Sequence, residues 1–236
     1  MKTEVLNYKN YGKCLRVVND NVEVYFTVDV GPRIIKFNYP NYENLLYNDV
    51  DLEVSHDVSS LYGEGEKWHI YGGHRMWVSP EKMPETYYPD NSPIEYTVEE
   101  KEGCVVVTLC PALQKVTRLH HKIIATVWEN GKMDVDHYLT NENDFEVKKG
   151  IWGITVTDSN GIAVMRQPEY KPEFLPNRHV VYWPHTTMAD DRILLGDKYL
   201  VVVQDHNESR IPAKIGYTNF DGKIYCFNHE IGRAHV

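Results

Sequence analysis

The chain has 236 residues, with 34 acidic against 25 basic side chains, a formal charge of −9 and 42% hydrophobic residues. That length suits one large β domain or two small ones with a real core, and the negative balance argues against binding a polyanion such as nucleic acid. No segment approaches the roughly 20 apolar residues of a membrane span, and the opening MKTEVLNYKNYGKCLRVV has no apolar run of signal-peptide length, so no membrane partner and a cytoplasmic location are expected.

Helical periodicity is scarce, whereas short runs of Val, Ile, Thr and Tyr bounded by Asn, Asp, Gly and Pro recur throughout. Taken in chain order, the first predicted strands are Val22–Val28 and Arg33–Asn38. The stretch Tyr71–Glu81, YGGHRMWVSPE, follows. It crowds titratable and aromatic groups beside two glycines, more than a connecting loop needs. Gly72-Gly73 suits a bulge, a tight corner or a close approach of backbone to ligand. Further strands are predicted at Glu95–Val98, Cys104–Leu109, His121–Trp128 and Met133–Thr140.

Asn130-Gly131 predicts a two-residue type I′ turn between the last two. That register sets Trp128 against Met133 and Ile124 against His137. One face then carries Trp128, Thr126, Ile124, Met133, Val135, His137 and Leu139, with His137 pointing inward and Asp134, Asp136 and Tyr138 pointing away.

Ile151–Thr157 puts Trp152, Ile154 and Val156 on one side, and Ser159-Asn160-Gly161 is expected to turn it into Ile162–Arg166 as a second hairpin. Pro184 marks an edge or loop, Asp190-Asp191 a turn or short helix start, and Tyr199–Gln204 a further strand. The class is all-β, a sandwich or barrel, and with no composition break a single domain is expected over residues 1–230. Cys14, Cys104, Cys110 and Cys226 show no CxxC spacing and read as buried or idle thiols.

Seven segments, GPRII, ENLLY, GGHRMWVSPE, YYPDNSPIEY, HYLTNEN, WGITV with RQP, and LPNRHVVYWPHTTMADDRILLGDKYLVVVQD, resemble in this order a bacterial family of the galactose-mutarotase-like superfamily, from about Val22 to about Phe227. The resemblance implies an antiparallel β-supersandwich whose concave sheet face holds a small-molecule carbohydrate, with no cofactor. In aldose 1-epimerases of that superfamily a histidine acid and a carboxylate base open and reclose the pyranose ring. GGHRMWVSPE resembles the segment bringing the first such group and HYLTNEN the one bringing a second histidine. The carboxylate base of those relatives comes late in the chain, and no residue here matches it.

His74 and His137 are therefore the candidate catalytic residues, since imidazole can donate and accept protons near neutral pH. The inward position of His137 equally suits a satisfied core histidine. Arg75 offers a planar fork to vicinal hydroxyls, or else a structural tie, together with His74, to Glu81 or Asp90. Trp68, Tyr71 and Trp77 could stack on a pyranose or pack the core. Arg33, placed by the resemblance on the sugar, is otherwise a surface arginine. Glu81, Trp152 and His185 complete the candidate substrate-binding set. The account requires His74, Arg75 and His137 to converge across the hollow of a curved β layer.

No metal is expected: NHEIGRAHV spaces His229, Glu230 and His235 as H-E-x-x-x-x-H, not as H-E-x-x-H. EIGRAHV also resembles the translation of a sequencing-library adapter, so residues 231–236 are expected to be a non-native tail on a sandwich lacking its last strands. Three functions are carried forward: an aldose 1-epimerase-like enzyme, a noncatalytic carbohydrate-binding or accessory module of the same fold, and, last, a lyase or hydrolase, for which no paired-carboxylate or tyrosine site is visible.

Overall fold

The computed structural model describes residues 1–158, 161–169, 171, 173–204, 213–219 and 224–229. They form two compact units, 1–158 and 159–236. The protein is all-β, as expected.

The first unit contains β1 (Lys2–Asn7), β2 (Lys13–Val18), β3 (Glu23–Thr27), β4 (Ile34–Asn38), β5 (Ser55–Asp57), β6 (Lys67–His69), β7 (Gly73–Ser79), β8 (Glu95–Lys101), β9 (Cys104–Cys110), β10 (Leu119–Trp128), β11 (Met133–Asn141) and β12 (Gly150–Val156). A six-stranded sheet runs β1-β2-β3-β4-β7-β12, a four-stranded sheet β11-β10-β9-β8, and β5 pairs with β6 as a separate ribbon. All these pairings are antiparallel.

Strand alternation builds the core. Leu15, Val17, Val24, Phe26, Ile34 and Met76 of the larger sheet pack against Val105, Val107, Leu109, Ile123, Ala125 and Val127 of the smaller one. Each larger aliphatic side chain removed from water there stabilises the sandwich by about 1.5–3 kcal/mol.

The β10–β11 connection corrects the predicted turn. The amide of Gly131 donates to the Trp128 carbonyl at 3.0 Å, and the amide of Trp128 donates to the Lys132 carbonyl at 2.8 Å. Gly131 takes a positive φ of 86° while Asn130 does not, so the loop is three residues with a glycine bulge rather than a type I′ turn, which needs two positive φ angles. The register moves by one: Val127 faces Met133 and Ile123 faces His137. Trp128, Thr126 and Ile124 therefore leave the predicted face, and the Trp128 indole N–H donates to Asp134 at 2.7 Å. His137 keeps its inward side.

A second correction concerns Ile151–Thr157 and Ile162–Arg166, which do not pair with each other. The first, as β12, pairs with β7, and the second pairs within the other unit. β7 lies in the Tyr71–Glu81 segment, where no strand is predicted, and pairs along its length with β12. Ser159 and Asn160 of the expected turn lie outside the described residues.

Gly72 and Gly73 form the corner that starts β7, with φ of 96° and 67°. A Cβ at Gly72 would stand 2.1 Å from the Tyr47 carbonyl oxygen, and one at Gly73 2.2 Å from that of Ile34. Backbone approaching backbone, not backbone approaching ligand, is what requires these glycines.

The second unit contains β13 (Ile162–Arg166), β14 (Arg178–Tyr182), β15 (Ile193–Leu195), β16 (Tyr199–Val203), β17 (Ala213–Asn219) and β18 (Ile224–His229). They form two three-stranded sheets, β13-β16-β15 and β14-β17-β18, around Met165, Leu200, Val202 and Ile215. Asp190 sits in a turn and accepts from the Arg192 amide, Nε and Nη2 at 3.0, 2.9 and 2.6 Å. Residues 231–236 lie outside the described residues. Among the described residues no helix is long and apolar enough to cross a membrane.

Candidate functional site

β7 decides the geometry of the site. In a strand successive side chains point to opposite faces, so Arg75 and Trp77 take one face of the six-stranded sheet while His74 and Met76 take the other. Met76 belongs to the sandwich core, which identifies its face as the inner one. The expected convergence of His74 with Arg75 is thereby corrected: the sheet separates them.

On the inner face, His74 meets His137 of the opposing sheet. Their Nε2 atoms are 2.8 Å apart, and Nδ1 of His74 lies 2.8 Å from the Thr155 hydroxyl. Thr155 is the β12 partner of His74, and Gly153 the partner of Met76. A Cβ at Gly153 would lie 3.3 Å from Cε1 of His137 and 3.5 Å from Cε1 of His74, so a glycine here leaves the rings their room.

Burial pushes the His74 pKa down to about 4, helped by the neighbouring His137 and Arg75. Burial also lowers that of His137, against the pull of Asp136. Both imidazoles are thus neutral at neutral pH. With His74 protonated at Nδ1 and donating to Thr155, its Nε2 lone pair accepts the Nε2–H of His137, one donor and one acceptor side by side.

Around Arg75 and Trp77 of β7 the outer face is sealed. The indole of Trp77 is ringed by Trp68, Tyr87 and Trp152, with centroids at 5.5, 4.8 and 5.8 Å. Trp68 is fully buried and Trp77 only 8% exposed. The Arg75 guanidinium lies 4.9 Å from the Trp68 ring and 4.4 Å from that of Trp77, and Nη1 donates to the Ile70 carbonyl at 3.1 Å. Burial, with Arg33 close by, pulls its pKa below the usual guanidinium range.

Arg33 is fully buried, not a surface residue. Its Nη2 donates to Asp90 at 2.9 Å, and its guanidinium lies 5.1 Å from the Tyr71 ring. Tyr71 is buried and its hydroxyl donates to Asn91 at 2.8 Å.

Of the candidate substrate-binding set, then, Arg33, Trp68, Tyr71, Arg75, Trp77 and half-buried Trp152 do come together, but as an aromatic and guanidinium packing layer in which the rings of Trp68, Tyr71 and Trp77 are buried away from any pyranose. Glu81 is at the surface and accepts from the Tyr87 hydroxyl at 2.5 Å. The expected ties of His74 and Arg75 to Glu81 or Asp90 are replaced by Thr155 and the Ile70 carbonyl. His185 is exposed in the second unit.

Thr155 and Gly153 are the site residues that sequence reasoning missed. The signal was present: both alternate with Trp152 and Ile154, so the strand that puts those two outward puts Gly153 and Thr155 inward. Among the described residues no cluster of three or more His, Cys, Asp or Glu is placed to hold a metal ion. The side chains of His229, Glu230 and His235 lie outside those described. Comparison with protein-family models, with curated proteins and with solved structures finds no match.

Proposed function

We propose that the protein binds a small neutral carbohydrate at the His74–His137 pair and exchanges its anomers, the aldose 1-epimerase-like activity implied by the sequence resemblance. The observation that carries the reading is the 2.8 Å contact between two imidazoles held neutral by burial. Ring opening needs a base to take the C1 hydroxyl proton and an acid to protonate the ring oxygen as the C1–O5 bond breaks, leaving the open-chain aldehyde. A neutral pair supplies both: the Nε2 lone pair of His74 takes the hydroxyl proton and becomes imidazolium, while the Nε2–H of His137 goes to the ring oxygen and leaves an imidazolate whose charge the adjacent imidazolium balances. Reclosure on the other carbonyl face returns both protons and inverts the anomer.

Exchange spectroscopy on the anomers of glucose and galactose tests this directly. Catalysed exchange above the buffer rate supports it. A rate at background overturns the enzymatic part.

The second reading, a noncatalytic carbohydrate-binding module, is favoured by the sealed position of Arg75 and Trp77, which removes both from the imidazole pair's side of the sheet. It predicts sugar-dependent shifts of the histidine ring resonances with exchange at background. A cytoplasmic, bacterial setting belongs to the same proposal, and the free thiols of Cys14, Cys104 and Cys110 suit a reducing compartment.

A further inference from the structure

A cavity of about 460 Å³ lies beside the loop that follows β4, lined by residues that include Tyr8, Lys9, Lys36, Tyr42 and Asn48. It is distinct from the imidazole pair. Tyr25 alternates along β3 with the core residues Val24 and Phe26, and its β4 partner Lys36 places Nζ 4.8 Å from the Tyr25 ring. Lys36 and the cavity it lines therefore belong to the outer face, while His74 belongs to the inner one.

Two amides build the floor. Asn44 accepts from the amides of Phe37 and Leu46 at 3.0 and 3.1 Å, and donates to the carbonyls of Ile35 and Leu46 at 2.9 and 2.8 Å. Asn48 donates to the carbonyls of Ile35 and Tyr47, both at 2.9 Å. Its Oδ1 accepts from the Tyr8 hydroxyl at 3.1 Å, Lys9 Nζ at 2.8 Å and Asn44 at 3.3 Å. The loop is thus pinned to β4, and a ligand would meet it already ordered, which spares part of the entropy cost of binding.

The lining chemistry selects the ligand. Lys36 is already paired with Glu23 at 2.5 Å, which leaves Lys9 beside two carboxylates, Glu43 and Asp158, so the lining disfavours an anion. The lining mixes lysine, tyrosine and asparagine donors with carboxylate and amide acceptors, and Tyr42, edge-to-face with Tyr39 at 6.3 Å, keeps 75% exposure. The volume falls within the usual range of roughly 300–1,000 Å³ for small-molecule sites. We propose that this cavity is a second, noncatalytic site for a neutral pyranoside, which stacks its C–H face on Tyr42 and shares its hydroxyls between Lys9 and Glu43. The inference stands on this cavity alone and does not depend on the imidazole pair being active.

Saturation-transfer difference NMR on the full chain tests it, with the methyl glycosides of galactose, glucose and mannose as neutral probes and glucuronate and inorganic phosphate as anionic ones. Methyl glycosides cannot open their rings, so binding is read without turnover. The variants are Tyr42→Ala and Glu43→Gln, both at exposed positions, with His137→Gln to report on the other site. At least one neutral glycoside is expected to give a signal in the wild type and in His137→Gln, weakened about fivefold or more by Tyr42→Ala and also reduced by Glu43→Gln. A signal that survives Tyr42→Ala and disappears in His137→Gln would assign the sugar to the imidazole pair and overturn the second site. Response only to the anions, or to none of the three glycosides, overturns it as well.

Discussion

Thr155 and His74 are cross-strand partners on β12 and β7 whose side chains meet at 2.8 Å. The hydroxyl holds the His74 ring at Nδ1, and with Nδ1 protonated and donating to it, Nε2 is the lone pair turned to His137. Replacing Thr155 by Val keeps the shape and removes the partner. Stability is expected to fall by about 1 kcal/mol and anomer exchange by about tenfold. Nitrogen-15 spectra of His74 should then show mixed tautomers where the wild type shows one.

Gly153→Ala tests the room around the pair. The new methyl would stand 3.3 Å from His137 and 3.5 Å from His74, so one ring must give way by a few tenths of an ångström. A cost of about 1 kcal/mol is expected, together with shifted imidazole resonances of both histidines. Gly161→Ala is the control, because a Cβ there meets nothing within 4 Å.

Acid sensitivity follows from the depressed histidines. In the folded protein His74 and His121 titrate near 4 because they are buried, against 6.5 when free in the unfolded chain. The unfolded state therefore binds more protons between those values, and stability drops as pH falls from about 6.5 towards 4. His74→Gln removes one of these groups. Urea melts at a series of pH values should show a shallower acid-side loss for the variant than for the wild type. Equal slopes would contradict the assigned burial of His74.

Trp77→Phe separates packing from recognition. Trp77 contacts three aromatic rings and the Arg75 guanidinium in a sealed layer. The substitution is expected to cost about 1–3 kcal/mol of stability while leaving sugar affinity and exchange per folded molecule unchanged. A loss of affinity at constant stability would put the indole back on the ligand.

How much of this was legible in the sequence depends on whether a strand wrote itself in apolar code. Runs such as CVVVTLC and HKIIATVW declared β9 and β10 because β-branched residues alternate there with residues that reach solvent. β7 did not, because its outward positions bury Arg75 and Trp77 against other rings, so a charged residue occupies a site where a buried sheet face normally carries an aliphatic one. Once GHRMWVS is seen as a strand, the opposite directions of His74 and Arg75 follow from period two alone. The one-residue error at Asn130-Gly131 has a different cause: the dipeptide serves two hairpin geometries, and only the number of positive φ angles separates them. The side taken by His137 was read correctly because the alternation within Met133–Leu139 does not depend on the partner's register. The cavity over Asn44 and Asn48 was hidden, since its floor is made of side-chain to backbone bonds that no spacing rule exposes.

The central claim is that His74 and His137 act as one proton-transfer pair. The most direct measurement is two-dimensional exchange NMR on galactose anomers with the wild type and with His137→Gln, each checked for an unchanged melting profile. Catalysed exchange in the wild type that falls by about 100-fold or more in the variant is predicted. Exchange at the buffer rate in the wild type, or an undiminished rate in folded His137→Gln, would contradict it.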